Sequence, residues 1–144
     1  MIRRAAAGDE RTLAALSRKL YDGHTTEALA LEWEELLRSP SAAGFLAYED
    51  GAAVGFAQCQ LRRDYVEGTR SSPVGYLEGV FVEEHCRRKG IAARLLSACE
   101  AWAKQMGCTE FASDCALSNE ESISFHAGAG FREAGRIVCF VKRL

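Results

Sequence analysis

The sequence predicts an α/β domain built on a mixed sheet with helices on its faces. Three observations carry that expectation. Segments of strand and helix patterning follow one another in the order strand, two helices, three strands, helix, strand, helix, strand. The stretch Leu77–Ala98 runs from an apolar strand through a charged turn into an amphipathic helix. The 144 residues, 48% of them hydrophobic, suit one domain spanning 1–144 with an ordinary core.

Met1–Ala6 is short and apolar around Arg3-Arg4 and reads as an edge strand. Gly8-Asp9 is a turn and helix cap, and Leu13, Leu16 and Leu20 mark one face of a helix over Glu10–Leu20. After the loop Tyr21-Asp22-Gly23-His24, Thr26 caps a second helix carrying Leu29, Trp33, Leu36 and Leu37 on one side, and Ser39-Pro40-Ser41 ends it. Gly44–Tyr48 and Ala52–Arg62 are strands joined by the hairpin turn Glu49-Asp50-Gly51. Asp64–Pro73 is a polar loop, too polar for the core, and Tyr65, Glu67 and Arg70 make it a candidate for substrate contact. Val74–Val82 is the central strand. The helix opening at Gly90 buries Leu95, Leu96, Cys99, Trp102 and Met106 and closes at Gly107. Thr109–Ser113 is the next strand, Ser118 caps a short helix through His126, Gly128-Ala129-Gly130 ends it, and Arg136–Arg143 is the last strand.

Composition excludes several classes. Eighteen Lys+Arg stand against 20 Asp+Glu, a net charge of -2, where a nucleic-acid binder carries a basic excess. No apolar run is long enough to cross a membrane and no leader pattern opens the chain, so no membrane partner and a cytoplasmic location are expected. The six cysteines are irregularly spaced, with no C-x-x-C pair, and read as reduced structural residues; no metal is expected.

The turn Glu83–Lys89 and the helix start after it form an anion cradle. Free backbone N–H groups and the helix dipole favour negative charge there, and Gly90 lets an oxygen approach the backbone. The expected ligand is a pyrophosphate. Neither G-x-x-x-x-G-K-[ST] nor G-x-G-x-x-G occurs.

The segment Arg87-x-x-Gly90-x-Ala92 resembles the R/Q-x-x-G-x-G/A motif of the GCN5-related N-acetyltransferases. The element order fits that family over essentially the whole chain. The resemblance implies the acetyltransferase fold: a mostly antiparallel central sheet, helices on both faces, and a V-shaped splay between two parallel central strands. It implies acetyl-coenzyme A as co-substrate, with the pantetheine arm along Val80, Phe81 and Val82 and the pyrophosphate on Arg87, Arg88, Lys89, Gly90, Ile91, Ala92 and Ala93. A backbone N–H near Val80 would then polarise the thioester carbonyl.

Two carboxylates stand where acids are unexpected: Glu78 within an apolar strand, and Asp114 at the end of Phe111-Ala112-Ser113. Burying a carboxylate is costly unless it is paired or faces a cleft. Either the two make a negative patch for a cationic acceptor, or each pairs with a local arginine, Arg62 or Arg94. Asp64-Tyr65-Val66-x-Gly68, Ser71-Ser72-Pro73-Val74, Leu77-Glu78-Gly79 and Ala112-Ser113-Asp114 together resemble the dimeric aminoglycoside 6′-N-acetyltransferases. That resemblance implies a homodimer, acceptor contacts from Tyr21, His24, Tyr65, Glu78 and Asp114, and a coenzyme A contact from Asn119. Two departures stand out: Tyr21 occupies a position where many relatives carry Trp, and Gly135 one where some carry glutamate.

The chemistry asks that the amine lose a proton, which Glu78 or Asp114 could accept through water, a carboxylate being a poor pKa match for direct deprotonation of an ammonium. The departing thiolate benefits from a proton. His126 stands four residues before Gly130-Phe131, where many acetyltransferases place a tyrosine for that role; a helix-surface histidine with no role is the alternative. The functional readings are an aminoglycoside 6′-N-acetyltransferase, an acetyltransferase for a polyamine, small metabolite or protein lysine, and a non-catalytic acyl-coenzyme A binding module.

Overall fold

A computed structural model describes all residues, Met1–Leu144. Five strands form one sheet in chain order: β1 (Ile2–Arg4), β2 (Ala42–Glu49), β3 (Ala52–Arg62), β4 (Val74–Val82) and β5 (Phe111–Ser113). The first four pair antiparallel, and β4 pairs parallel with β5. The β2–β3 hairpin closes through Asp50 (φ 51°) and Gly51 (φ 80°), the Asp-Gly pair whose positive φ angles match the strand twist.

Helices α1 (Glu10–Ser17) and α2 (Thr26–Arg38) cover one face, where Leu13, Leu16, Leu29 and Trp33 bury against Leu46 and Phe56. Helix α3 (Ile91–Gln105) covers the other, packing Leu95, Leu96, Cys99 and Trp102 onto Ala57, Cys59, Leu77 and Val82. Burying such side chains is worth about 1.5–3 kcal/mol each, which makes these two faces the main stabilising term. Helix α4 (Glu120–Gly128) follows β5 and leans Phe125 on the α3-side core. No helix is long and apolar enough to cross a membrane.

The structure corrects several boundaries. Helix α1 stops at Ser17, whose hydroxyl donates to Leu13 O (2.6 Å) and accepts from Trp33 Nε1 (2.9 Å); Leu20 falls outside the helix and is exposed. The cap of α2 is Thr25, accepting from Ala28 N–H, one residue before the expected Thr26. Asn119, not Ser118, caps α4 by accepting from Ser122 N–H. Met106 is an exposed helix end rather than a core residue. The largest correction concerns Arg136–Arg143. It joins no strand of its own chain, and Ile137, Val138, Phe140 and Val141 stand fully open to solvent. Period-two patterning reports that a segment can pair, not with what, and this segment pairs with neither open edge of the sheet, β1 or β5.

Candidate active site

Strand β5 pairs with β4 only at Gly75–Phe111, Tyr76–Ala112 and Leu77–Ser113. Beyond that point β4 runs on to Val82 with no strand on that side, and the sheet is split by a gap. On its other edge β4 pairs with β3 as Leu77–Cys59 and then Gly79–Gln58, so Glu78 is the extra residue of a β-bulge. The bulge shifts the alternation. Glu83 N–H bonds Val54 O (2.7 Å), and stepping back by twos turns Phe81 and Gly79 N–H towards β3. The N–H groups of Val80 and Val82 therefore face the gap.

The gap leads to the turn before α3. Arg88 (φ 64°) and Gly90 (φ 79°) both adopt left-handed backbone, and Gly90 caps α3 with no side chain bonded to the free N–H groups of the first turn. A Cβ at Gly90 would meet nothing within 4 Å, so the glycine serves the backbone angle and leaves open space outside the cradle. Arg87 staples the turn to the strand, with Nε donating to Val82 O (2.9 Å) and its guanidinium 5.8 Å from the Phe81 ring centre. Lys89 is tied to Glu49 (2.8 Å).

On the α1–α2 side of the gap lies an acidic cluster. Glu78 takes three hydrogen bonds from Arg62, at 2.8, 3.1 and 3.1 Å, and the Arg62 guanidinium lies flat over Tyr76, 3.4 Å from the ring centre. Tyr76 donates its hydroxyl to Asp114. Burial, then the bond to Asp114, pushes the Tyr76 phenol well above its ordinary range, so it remains a donor. Tyr21 reaches the same floor, its hydroxyl donating weakly to Glu78 O (3.4 Å). Burial first, then the charges of Glu78 and Asp114, raise its phenol too. The arginine pairing considered from the sequence is realised at Glu78 with Arg62. Asp114 has no arginine partner and lies at the exposed mouth.

On the α3–α4 side, His126 bonds through both ring nitrogens. Nδ1 lies 2.7 Å from Ser122 O; a carbonyl only accepts, so Nδ1 carries the proton in the neutral ring. Nε2 then accepts from the Ser113 hydroxyl at 2.8 Å, and Phe125 and Phe131 pack edge-on against the imidazole. In that tautomer Nε2 is an acceptor, so an acid role for His126 requires the doubly protonated ring.

The predicted residues thus divide. Tyr21, Glu78 and Asp114 meet on one side of the gap, Val80 and Val82 line it, and His126 sits on the far side with Ser113. His24 and Tyr65 are exposed and make no side-chain bond to the cluster. Tyr65 rides on a loop pinned at Glu110, which accepts from Arg70 N–H (2.9 Å) and Ser71 Oγ (2.5 Å). Asn119 spends its carboxamide oxygen on the α4 cap. Beside Gly135, Glu67 fills the space with a side chain 3.5 Å from where a Cβ would stand. Sequence reasoning missed Tyr76 and Ser113. Their signal was positional: both precede a singled-out carboxylate on strands expected to be neighbours.

Residues 10–131 match the acetyltransferase (GNAT) family. The chain is 45% identical over 131 residues to the aminoglycoside N(6′)-acetyltransferase type 1 of Serratia marcescens, covering 90% of both chains. It is 41% identical over 128 residues to that of Salmonella typhimurium, covering 89% and 88%. Among solved structures it superimposes with a TM-score of 0.96 at 38% identity on aminoglycoside N-acetyltransferase AAC(6′)-Iy in complex with CoA, covering 100% of this chain and 95% of that one. Against the same enzyme in complex with the bisubstrate analogue CoA-S-monomethyl-acetylneamine the TM-score is 0.95, at 38% identity and 100% and 98% coverage.

Proposed function

This chain belongs to the acetyltransferase (GNAT) family, and we propose that it transfers the acetyl group of acetyl-coenzyme A to the 6′-amine of an aminoglycoside by direct attack in a ternary complex. The observation that carries this reading is the gap beyond Leu77–Ser113, which joins an anion cradle at one end to an acidic floor at its side.

The cradle at Arg87–Ala93 takes the pyrophosphate on backbone N–H groups. The arm then adds to the open edge of β4 along Val80–Val82, as an extended ligand adds to a sheet edge. Val80 N–H, turned into the gap by the bulge at Glu78, stands where it can stabilise the charge developing on the thioester oxygen. The polycationic acceptor enters from the side of Tyr21, Tyr76 and Asp114, with His24 and the Tyr65 loop at the rim. Asp114 attracts its ammonium groups. Glu78, balanced by Arg62, adds hydrogen-bond acceptors with less net charge, and water between the carboxylates carries away the proton of the attacking amine. The thiolate leaves unaided, being the most stable anion in the reaction.

We also infer a homodimer. Strand β5 is an open sheet edge, and Ile137–Val141 is an exposed apolar segment without a partner strand, so a second copy covers both by exchanging or abutting these tails. Four buried, unpaired cysteines suit a reducing cytoplasm. The function is tested by steady-state kinetics with acetyl-coenzyme A and a panel of kanamycin, tobramycin and spermidine, with the product identified by mass and NMR. Acetylation of spermidine but of no aminoglycoside overturns it.

A further inference from the structure

Ser113, His126 and the Ser122 carbonyl form a relay that the amine transfer does not use. Ser113 Oγ is 2.8 Å from His126 Nε2, and His126 Nδ1 is 2.7 Å from Ser122 O. This is the order nucleophile, base and orienting acceptor, with hydrogen-bond distances throughout. Ser113 is half-buried and is the last β5 residue paired with β4, so its hydroxyl stands where the gap opens. It lies on the α3–α4 side, opposite Asp114, whose partner Tyr76 belongs to the other face. A thioester in the gap with its acceptor on the Asp114 side would have the other face of its carbonyl towards Ser113.

We propose a second, amine-independent activity: Ser113 takes the acetyl group from the thioester and passes it to water, making the protein a slow acetyl-thioester hydrolase. The proposal rests on the placement of acetyl-coenzyme A given above. In the first half, Ser113 Oγ forms a bond to the carbonyl carbon while its proton moves to His126 Nε2. The carbon–sulfur bond breaks, and the sulfur leaves with that proton as free thiol, giving acetyl-Ser113. In the second half, water attacks the ester, again giving its proton to Nε2. The serine oxygen leaves and takes that proton back, and acetic acid is released, losing its remaining proton to solvent as acetate. No redox partner or metal is needed. The rate is low because a backbone carbonyl, not a carboxylate, orients the imidazole; neutralising the orienting aspartate costs about 10⁴ in kcat in serine proteases.

The full-length protein is incubated with acetyl-coenzyme A and no amine, with thiol release followed by a colorimetric thiol reagent and the protein by intact mass and peptide mapping. The expected result is thiol release above the protein-free rate and one acetyl group on the peptide containing Ser113, both lost in Ser113→Ala and His126→Gln. A wild type that binds acetyl-coenzyme A by calorimetry and acetylates kanamycin, yet shows neither release nor adduct, overturns the proposal and leaves the transferase reading standing. Release that persists in Ser113→Ala also overturns it, since water would then attack directly. Absence of acetyl-coenzyme A binding would bring down the transferase reading and this proposal with it.

Discussion

Replacing Asp114 with Asn separates charge from shape at the acceptor site. The carboxamide oxygen can still accept from Tyr76, so β5 and the aromatic floor stay in place, while the one carboxylate of the cluster without a guanidinium partner loses its charge. A charge-assisted hydrogen bond to an ammonium contributes about 1.5–3 kcal/mol, so kcat/KM for kanamycin should fall about 10- to 150-fold. Acetyl-coenzyme A binds along β4 and the α3 turn, so its affinity should be unchanged. Removing the Arg62–Glu78 pair as a unit, with Arg62→Met and Glu78→Gln together, leaves the local net charge as it was and should cost less than Asp114→Asn. Raising the ionic strength from 0.1 to 1 M shortens the screening length from about 10 to about 3 Å, and should weaken kanamycin for the wild type more than for Asp114→Asn. The assay is steady-state kinetics at both salts with calorimetry for acetyl-coenzyme A. A fall of less than about twofold, equal at both salts, would refute the role of Asp114 as the site's free anion.

Gly90→Val should abolish measurable acetyl-coenzyme A binding in calorimetry, because a φ of 79° costs a β-branched residue more than the roughly 1–2 kcal/mol typical of left-handed backbone. The turn relaxes and its N–H groups turn away; unchanged affinity in a folded variant would discard the cradle. Gly79→Ala places a methyl group against the Tyr21 hydroxyl and should raise the aminoglycoside KM with little change for acetyl-coenzyme A. An unaltered aminoglycoside KM would remove Tyr21 from the acceptor site. Light scattering should give a dimer mass for the full chain, and a monomer mass at assay concentrations would contradict the exchanged or abutting tails.

The parts legible in the sequence were those governed by local pattern. The hairpin at Asp50-Gly51, the strand Val74–Val82 and the helix opening after Gly90 each follow from residues within a few positions of one another. The parallel pairing of β4 and β5 was readable because the helix between them supplies the crossover. What the sequence hid depends on register. The bulge at Glu78 comes from pairing with Gln58 and Cys59, some twenty residues away, and decides which N–H groups enter the gap. Glu78 and Asp114 look alike in the sequence, two acids in apolar company. Only the side-chain geometry shows one held by Arg62 and the other by Tyr76. His126 was singled out by its place before Gly130-Phe131, but its tautomer is set by Ser122 O and Ser113. The final apolar segment was read as a strand, and alternation alone could not say that it pairs with no strand of its own chain.

The central claim is that the gap beyond Leu77–Ser113 brings an acetyl thioester to an aminoglycoside's 6′-amine. It is tested most directly by incubating the protein with acetyl-coenzyme A and tobramycin or kanamycin and locating the new acetyl group by NMR. The account predicts a single product acetylated at the 6′-nitrogen, with thiol released in equal amount. A product acetylated at another nitrogen, or no aminoglycoside product while spermidine is consumed, would contradict it.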